Sequence, residues 1–398
     1  MMKIALVHYT SWPVIGGVES VIRQQARLMS QHGHEVTIIC GEGAEFEKRI
    51  QLLVLPELNS ARPEVRAAQN EVYSGRPGPA YFRLLESLQE RLSPLARSFD
   101  WFLVHNIFTM PFNLAATQVL AGLGERNVGI IAWTHDLAAS NPDYNLPQDR
   151  TFDLIRERQR GVRYVTISEA RAAQFQSLTG TNVDAIVPNG VDFVSASTVT
   201  PEVAELVGDD LAGSIILLYP TRILPRKNIA FALQIIGALR DNGLKVRLLV
   251  TGAPDTHNRS AAEHFTGLKR ITGELGIQEM VSWVNELFYV DERHLHSLYM
   301  VADALLFPSR QEGFGLPVLE AAVHRLPVFC SNIEPLKSIA LSSTLLFELR
   351  DAPHYVAEKI HRYFDQDAIF KQKKHLLREY SAKRLYVEKI EPMLRDKL

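Results

Sequence analysis

The stretch Phe307-Pro308-Ser309-Arg310-Gln311-Glu312-Gly313-Phe314-Gly315-Leu316-Pro317-Val318-Leu319-Glu320-Ala321-Ala322 is the most informative in the chain. An apolar run ends at Phe307 and a glycine-bearing loop follows. Pro317 suits the first turn of a helix, because its missing N–H would have no intrahelical partner there. The pattern predicts strand, loop and helix in succession. The backbone N–H groups of Phe314, Gly315 and Leu316 then stand at a helix N-terminus, where the dipole favours anions. Glu312 precedes this anion site and Glu320 lies just inside the helix. A carboxylate accepts hydrogen bonds from neighbouring hydroxyls, which suits sugar and ribose diols on either side of a phosphate. The same pair acting as the acid and nucleophile of a hydrolase would need carboxyl groups about 5–9.5 Å apart, a distance that sequence does not supply.

Outward from this segment, the same grammar of short apolar runs and amphipathic helices recurs. Ile4–Val7 is followed by a glycine-containing turn and a helix with Val18, Val21, Ile22, Leu28 and Met29 largely on one face. Gly33 stops that helix and Glu35–Cys40 reads as the next strand. Further strands are expected near Trp101–His105, Val128–Trp133, Arg163–Ile167 and Ala185–Val187. A second series lies near Ile215–Tyr219, Lys245–Thr251, Val281–Trp283, Ala304–Phe307, Pro327–Cys330 and Leu345–Phe347, and the last fifty residues read as mainly helical. Apolar runs with helices between them indicate parallel sheets covered on both faces. The small, polar stretch Ser195–Pro201 is the expected linker. The fold class is therefore α/β, with two successive doubly wound, Rossmann-like domains over residues 1–194 and 195–379. Such sheets bind ligands beyond the carboxyl ends of their strands, so a cleft between the domains is the expected site.

Composition narrows the function. The 398 residues are 46% hydrophobic and 22% charged, which excludes a disordered chain. A net charge of −2 provides no global basic field for nucleic acid. The balance is even along the chain, with 18 basic and 20 acidic residues up to Val194 and 25 of each beyond it. The start reads as a first strand rather than a signal peptide, and no run approaches the roughly 20 apolar residues that span a bilayer. Cys40 and Cys330 each close an apolar run and read as small buried thiols in a reducing compartment. The expectation is a soluble cytoplasmic protein, or one held peripherally at the inner face of a membrane.

Between Asn59 and Asp100, residues 74–79 break the chain into two helical pieces, the second expected over Tyr81–Arg97. Arg62, Arg66, Arg76, Arg83, Arg91 and Arg97 decorate this region. Mixed with glutamates, they suit a solvated face or, alternatively, contact with an acceptor or an anionic membrane surface.

A diphosphate needs placed cations. Arg222 and Lys227 bracket the turn that follows Ile215–Tyr219, where an Arg fork and a Lys point charge would meet phosphate oxygens. In the first half, Gly16-Gly17 follows strand one and permits close backbone approach, but it is not a G-x-G-x-x-G. Thr134-His135-Asp136 and His105-Asn106 place polar side chains at two more strand ends. Metal signals are poor. His32-x-His34 and His294-x-His296 lack further ligands, and Asp365-Gln366-Asp367 reads as a solvated helix end, so no metal is expected. No Walker loop and no hydrolase nucleophile elbow occurs.

Taken in order, several segments resemble the retaining nucleotide-sugar glycosyltransferases of family 4, also described as glycosyl transferases group 1. They are Gly16-Gly17-x-Glu19, His105, Thr134-His135-Asp136, Ile167-Ser168-Glu169, Pro188-Asn189-Gly190-Val191-Asp192, Arg222-x4-Lys227 and Glu312-x7-Glu320. The resemblance implies the GT-B architecture, with two Rossmann-like domains facing a central cleft and a final helix, about 380–398, crossing back to the first. It implies a nucleotide-sugar donor as co-substrate, no cofactor, no required metal, and a glycan, small polyol or lipid-linked acceptor. Arg222 and Lys227 would neutralise the leaving diphosphate. Glu312 and the backbone at Phe314, Gly315 and Leu316 would grip the donor sugar, and Glu320 would hold the ribose. Gly16 and Gly17 would approach the diphosphate, and His135 would face the sugar near the reacting centre. Asn285 stands where the family often has Gly, and Val323-His324-Arg325-Leu326-Pro327 replaces small residues and Gly; both leave the nucleotide open. A nucleotide-sugar 2-epimerase would need acid and base groups at the second carbon, for which no clear set is present. A non-catalytic nucleotide-sugar-binding subunit is the other alternative, against which the Arg, Lys, Glu and His set argues.

Overall fold

The apolar runs become strands close to where their pattern places them. They are β1 (Lys3–His8), β2 (Glu35–Cys40), β3 (Ile50–Val54), β4 (Trp101–His105), β5 (Ile130–Thr134), β6 (Val162–Thr166) and β7 (Ala185–Ile186), then β8 (Ile215–Tyr219), β9 (Val246–Val250), β10 (Val281–Trp283), β11 (Ala304–Phe307), β12 (Val328–Ser331) and β13 (Leu345–Phe347). The computed structural model of the protein describes residues 1–252, 259–340 and 344–396. The chain divides into a first unit, Met1–Gly190 together with the segment from Ala382 onward, and a second unit, Val191–Ser381.

The first unit holds a parallel sheet in the order β3-β2-β1-β4-β5-β6-β7. Its central strands are buried on both faces, which is why they read as unbroken apolar runs. Ala5, Val7, Phe102 and Val104 pack on one side, while Ile4, Leu6, Trp101 and Leu103 pack on the other. The strand β3 was not anticipated. Among the described residues it pairs only with β2, and it is buried only at Ile50, so it lacks the continuous apolar signature of its neighbours. The helix expected over Tyr81–Arg97 is instead Pro79–Leu92 followed by a 3₁₀ turn, Pro94–Arg97. Pro94 has no N–H to give to a carbonyl four residues back, so the α-helix ends before it. The closing segment packs into this same unit through Tyr386, Ile390 and Leu394, and Trp101 Nε1 donates to the Leu394 carbonyl at 2.8 Å. Burial of such side chains is worth roughly 2 kcal/mol each.

The second unit holds a parallel sheet in the order β10-β9-β8-β11-β12-β13 around one core. At the start of β8, the buried Asp303 accepts from the Ile216 N–H at 2.9 Å and pairs with Lys373 at 2.9 Å and Lys374 at 2.7 Å. That charge cluster is a structural anchor at the end of the sheet remote from the loops discussed below. Cys40 and Cys330 are free and buried, and burial pushes their thiols up to about 11 and about 12. Among the described residues no helix is long and apolar enough to cross a membrane.

In each sheet the winding reverses beside its first strand, between β1 and β4 and between β8 and β11. Loops leaving the carboxyl ends of two such strands diverge and leave room for a ligand.

Candidate functional site

In the second unit the loop after β8 tightens into a 3₁₀ turn, Pro225–Lys227, capped by Asn228 in the left-handed region at φ 54°. Asn228 Nδ2 donates to the Pro308 carbonyl at 3.1 Å, and the Arg310 N–H donates to the Arg226 carbonyl at 2.8 Å. Tyr219, the last residue of β8, donates its hydroxyl to the Lys227 carbonyl and also meets Ser309 Oγ at 3.0 Å. These bonds knit the loop after β8 to the loop after β11, so side chains from both have defined positions.

Lys227 Nζ lies 2.5 Å from Glu312 Oε1, with the two side chains only 11% and 7% exposed. Arg226 stands 3.9 Å from the other carboxylate oxygen and donates to the Gln311 carbonyl at 3.1 Å. Arg222 is exposed and has no charged partner among the described residues. Two of the three cations thus lean on one carboxylate, and a net positive charge is left for an incoming anion. Gly315 caps the helix Leu316–Val323 at φ 101°, and a Cβ there would meet Leu336 Cδ2 at 2.5 Å. Only glycine meets both demands. None of the N–H groups of Phe314, Gly315 and Leu316 donates to another described residue, so they remain available to an anion. Phe314 and Leu316 are exposed, whereas Gly315 is buried. Glu320 is held from below: Tyr299 Oη donates to its Oε2 at 2.6 Å.

The two departures noted in the sequence have local explanations. Asn285 donates to the Thr251 carbonyl and accepts from the Val290 N–H at 3.3 Å, lacing the loop after β10 to the end of β9. Arg325 occupies a left-handed position, φ 58°, just past the helix Leu316–Val323, the kind of place where glycine is usual. Asp367 caps the helix Ala368–Glu379 through the Ile369 and Phe370 N–H groups, in keeping with a helix-end role.

In the first unit, three histidines meet at the ends of β1, β4 and just beyond β5. His8 Nδ1 donates to the His105 carbonyl at 2.9 Å, and His105 Nδ1 lies 3.1 Å from His135 Nε2. Burial pushes all three down: His135 to about 3, His105 well below its ordinary value, and His8 less so because the His105 carbonyl and Glu19 oppose the shift. They are neutral at physiological pH. Asn106, left-handed at φ 59°, accepts from the His135 N–H at 2.8 Å and from the Asp136 N–H at 3.2 Å, which sets the turn that presents His135.

Gly16 caps the helix Gly17–Gln31, and its missing side chain is required internally. A Cβ there would fall 2.0 Å from Glu19 Oε2, because the Glu19 carboxylate folds back over the turn. Glu19 accepts from Thr10 Oγ1 at 2.5 Å and lies 3.8 Å from His8 Nε2. At Gly17 a Cβ would meet nothing. Of the residues singled out in the sequence, Lys227 and Glu312 are in direct contact, and Arg222, Phe314, Gly315, Leu316 and Glu320 lie on the same two loops and the helix they lead into. His135, Gly16 and Gly17 belong to the first unit. The supporting residues Tyr299, His8 and Thr10 carried no local signal; Arg226 had only its adjacency to Lys227, and Asn106 only its place beside His105 at a strand end.

Residues 15–194 match the family model described as Glycosyltransferase Family 4, and residues 210–384 match the model described as Glycosyl transferases group 1. The chain is similar to the mannosylglucosylglycerate synthase of Thermotoga maritima, 26% identical over 85% of this chain and 82% of that protein. It is also similar to the serotype-specific mannosyltransferase WbdA of Escherichia coli, 26% identical over 49% of this chain and 22% of that longer protein. Among solved structures, the sucrose-phosphate synthase of Thermosynechococcus elongatus aligns over 99% of this chain and 98% of its own with a TM-score of 0.40 and 16% identity.

Proposed function

We propose, from the premise that the chain belongs to the family 4 glycosyltransferases and has their GT-B fold of two Rossmann-like domains, that it moves a hexose with retention of configuration. The donor is a nucleotide sugar of the GDP-mannose or UDP-glucose type, and the acceptor is a sugar, a small polyol or a lipid-linked glycan. The reaction belongs in polysaccharide or glycoconjugate synthesis. The names of the relatives, a mannosylglucosylglycerate synthase and a mannosyltransferase, support hexosyl transfer.

The observation that carries this reading is the set of charges on the loops at the β8/β11 reversal: Arg226 and Lys227 against Glu312, Arg222 on the same loop, and the N–H groups of Phe314–Leu316 with no acceptor among the described residues. When the bond between sugar and diphosphate breaks, negative charge grows on the departing phosphate. Cations and N–H groups already in position stabilise it without reorganising, so no metal is required in this scheme. Lys227 supplies charge at the diphosphate, with Arg222 as its companion on the same loop. Glu312, oriented by Lys227, accepts from hydroxyls of the donor sugar, and Glu320 accepts from the ribose. In the first unit His135 offers a neutral hydrogen-bonding edge to the sugar, and the backbone at Gly16 and Gly17 approaches the diphosphate.

Thermal unfolding with a panel of UDP-, GDP- and ADP-sugars tests this directly, since a ligand that binds only the folded state raises the melting temperature by mass action. At least one nucleotide sugar should raise it and be slowly hydrolysed. A panel with no stabilising member overturns the donor assignment.

A further inference from the structure

Tyr299 lies on the helix Glu292–Val301 and is 2% exposed, yet its hydroxyl is not spent on the core. It points at the half-buried Glu320 and donates to Oε2 at 2.6 Å. Burial and the neighbouring carboxylate both push the phenol up, so it stays protonated and can act toward Glu320 only as a donor. A second contact comes from the other side. The ring of His324, one turn beyond Glu320, lies flat on the phenol, with centroids 4.9 Å apart and planes 13° from parallel. Its Nδ1 donates to the main-chain carbonyl of Glu320 at 2.8 Å, and its Nε2 meets His296 Nδ1 at 3.0 Å. A glutamate on a helix surface ordinarily samples several rotamers and loses that freedom when a ligand binds. Here one carboxylate oxygen is already tied to a buried donor, and that donor is itself clamped.

We propose that Tyr299 is a positioning residue for Glu320, and that the Tyr299–His324 clamp sets the selectivity of the site for ribose over deoxyribose nucleotides. The inference rests on the reading of Glu320 as the ribose contact. With Oε2 tied to Tyr299, the remaining lone pairs of the carboxylate face outward in one orientation, matched to a vicinal diol. A site built to accept from a hydroxyl discriminates strongly against the analogue that lacks it, provided that the acceptor cannot swing away to water. Tyr299 denies Glu320 that escape.

The test uses the full chain and the nucleoside diphosphate, among UDP, GDP and ADP, that binds it best. Dissociation constants are measured for that diphosphate and for its 2′-deoxy and 3′-deoxy forms with the unaltered protein, Tyr299→Phe and His324→Ala. The unaltered protein should prefer the ribose form by about tenfold or more. Tyr299→Phe should bring the preference down to about twofold by weakening only the ribose form, while the deoxy forms bind both proteins alike. His324→Ala, at a half-exposed position that leaves the core intact, should lower the preference by about threefold. If Tyr299→Phe weakens ribose and deoxy forms equally, or leaves their ratio unchanged, the positioning role is overturned. An unaltered protein that binds a diphosphate but prefers no ribose form overturns this inference alone. One that binds none of the three overturns the donor reading, and this inference with it.

Discussion

In the first unit the strands on either side of the winding reversal, β1 and β4, end in His8 and His105; in the second, β8 and β11 end in Tyr219 and Phe307. Both reversals rely on a left-handed asparagine to turn the chain, Asn106 in one and Asn228 in the other. Beyond that they differ. The first buries three neutral imidazoles and folds the carboxylate of Glu19 over its own helix terminus. The second sets Arg226 and Lys227 against one carboxylate, with Arg222 on the same loop, and leaves the N–H groups at a helix terminus without an acceptor among the described residues. Topology decides where a ligand can approach, while burial and the partner at hand together decide which groups there carry charge: Lys227 and Glu312 are nearly as buried as the histidines but face each other. The imidazoles of the first unit offer hydrogen bonds without charge, and the cations of the second offer charge.

The contrast is broken most directly at Lys227. Lys227→Ala should lower donor turnover by about a hundredfold, the scale of losing one charge contact made in the transition state. A variant with unchanged turnover would remove the second unit's claim to the diphosphate. In the first unit, Asn106→Ala holds φ 59° with a residue that tolerates the left-handed region less well than asparagine, and leaves the His135 and Asp136 N–H groups without their acceptor. It should cost about 2–3 kcal/mol, read from urea unfolding. A cost near zero would mean that Asn106 does not build the turn presenting His135.

Acid sharpens the same contrast. His135 titrates at about 3 when folded and near 6.5 when unfolded, so between those values the unfolded chain binds the extra proton and stability rises with pH. Going from pH 8 to pH 5 should therefore cost about 2 kcal/mol from this group, with His8 and His105 acting in the same direction. Hydrogen exchange followed residue by residue should show the loss first in the sheet of the first unit. Equal losses in both units would mean that the buried imidazoles are not its source. The smallest expected effect is at Arg325, exposed at φ 58°. Arg325→Gly relieves a left-handed β-carbon and should stabilise the second unit by about 0.5–1 kcal/mol in urea unfolding, with turnover unchanged.

What sequence reveals here follows from how each feature is built. Central strands such as Trp101–His105 and Ile215–Tyr219 are legible because a parallel sheet buries both faces and leaves an unbroken apolar run. Ile50–Val54 is not, because an edge strand with one buried residue has no such run. The loop at Glu312 and the turn at Lys227 are legible because chemistry and spacing coincide locally, although their contact spans 85 residues. The histidine trio depends on sheet order, which brings residues 8, 105 and 135 together, and no local pattern encodes it. Tyr299 is hidden for the same reason: it looks like an ordinary core aromatic until its hydroxyl is seen against Glu320. Gly16 carries a second reason for being glycine that its own neighbourhood in sequence does not announce: the space of its missing side chain is taken by Glu19 three residues on.

The closing segment, from Ala382 onward, has a consequence for how the protein is made. Tyr386, Ile390 and Leu394 complete the core around Trp101, and at Gly190 a β-carbon would strike the Ala382 backbone at 2.6 Å. The first unit is therefore interrupted by the whole of the second. On a ribosome, Val191–Ser381 emerges and can fold as a unit while the earlier half still lacks the segment that covers one face of its sheet. The part of the chain made first is the part finished last, and until then Trp101 and its neighbours are exposed to whatever chaperones attend the nascent chain.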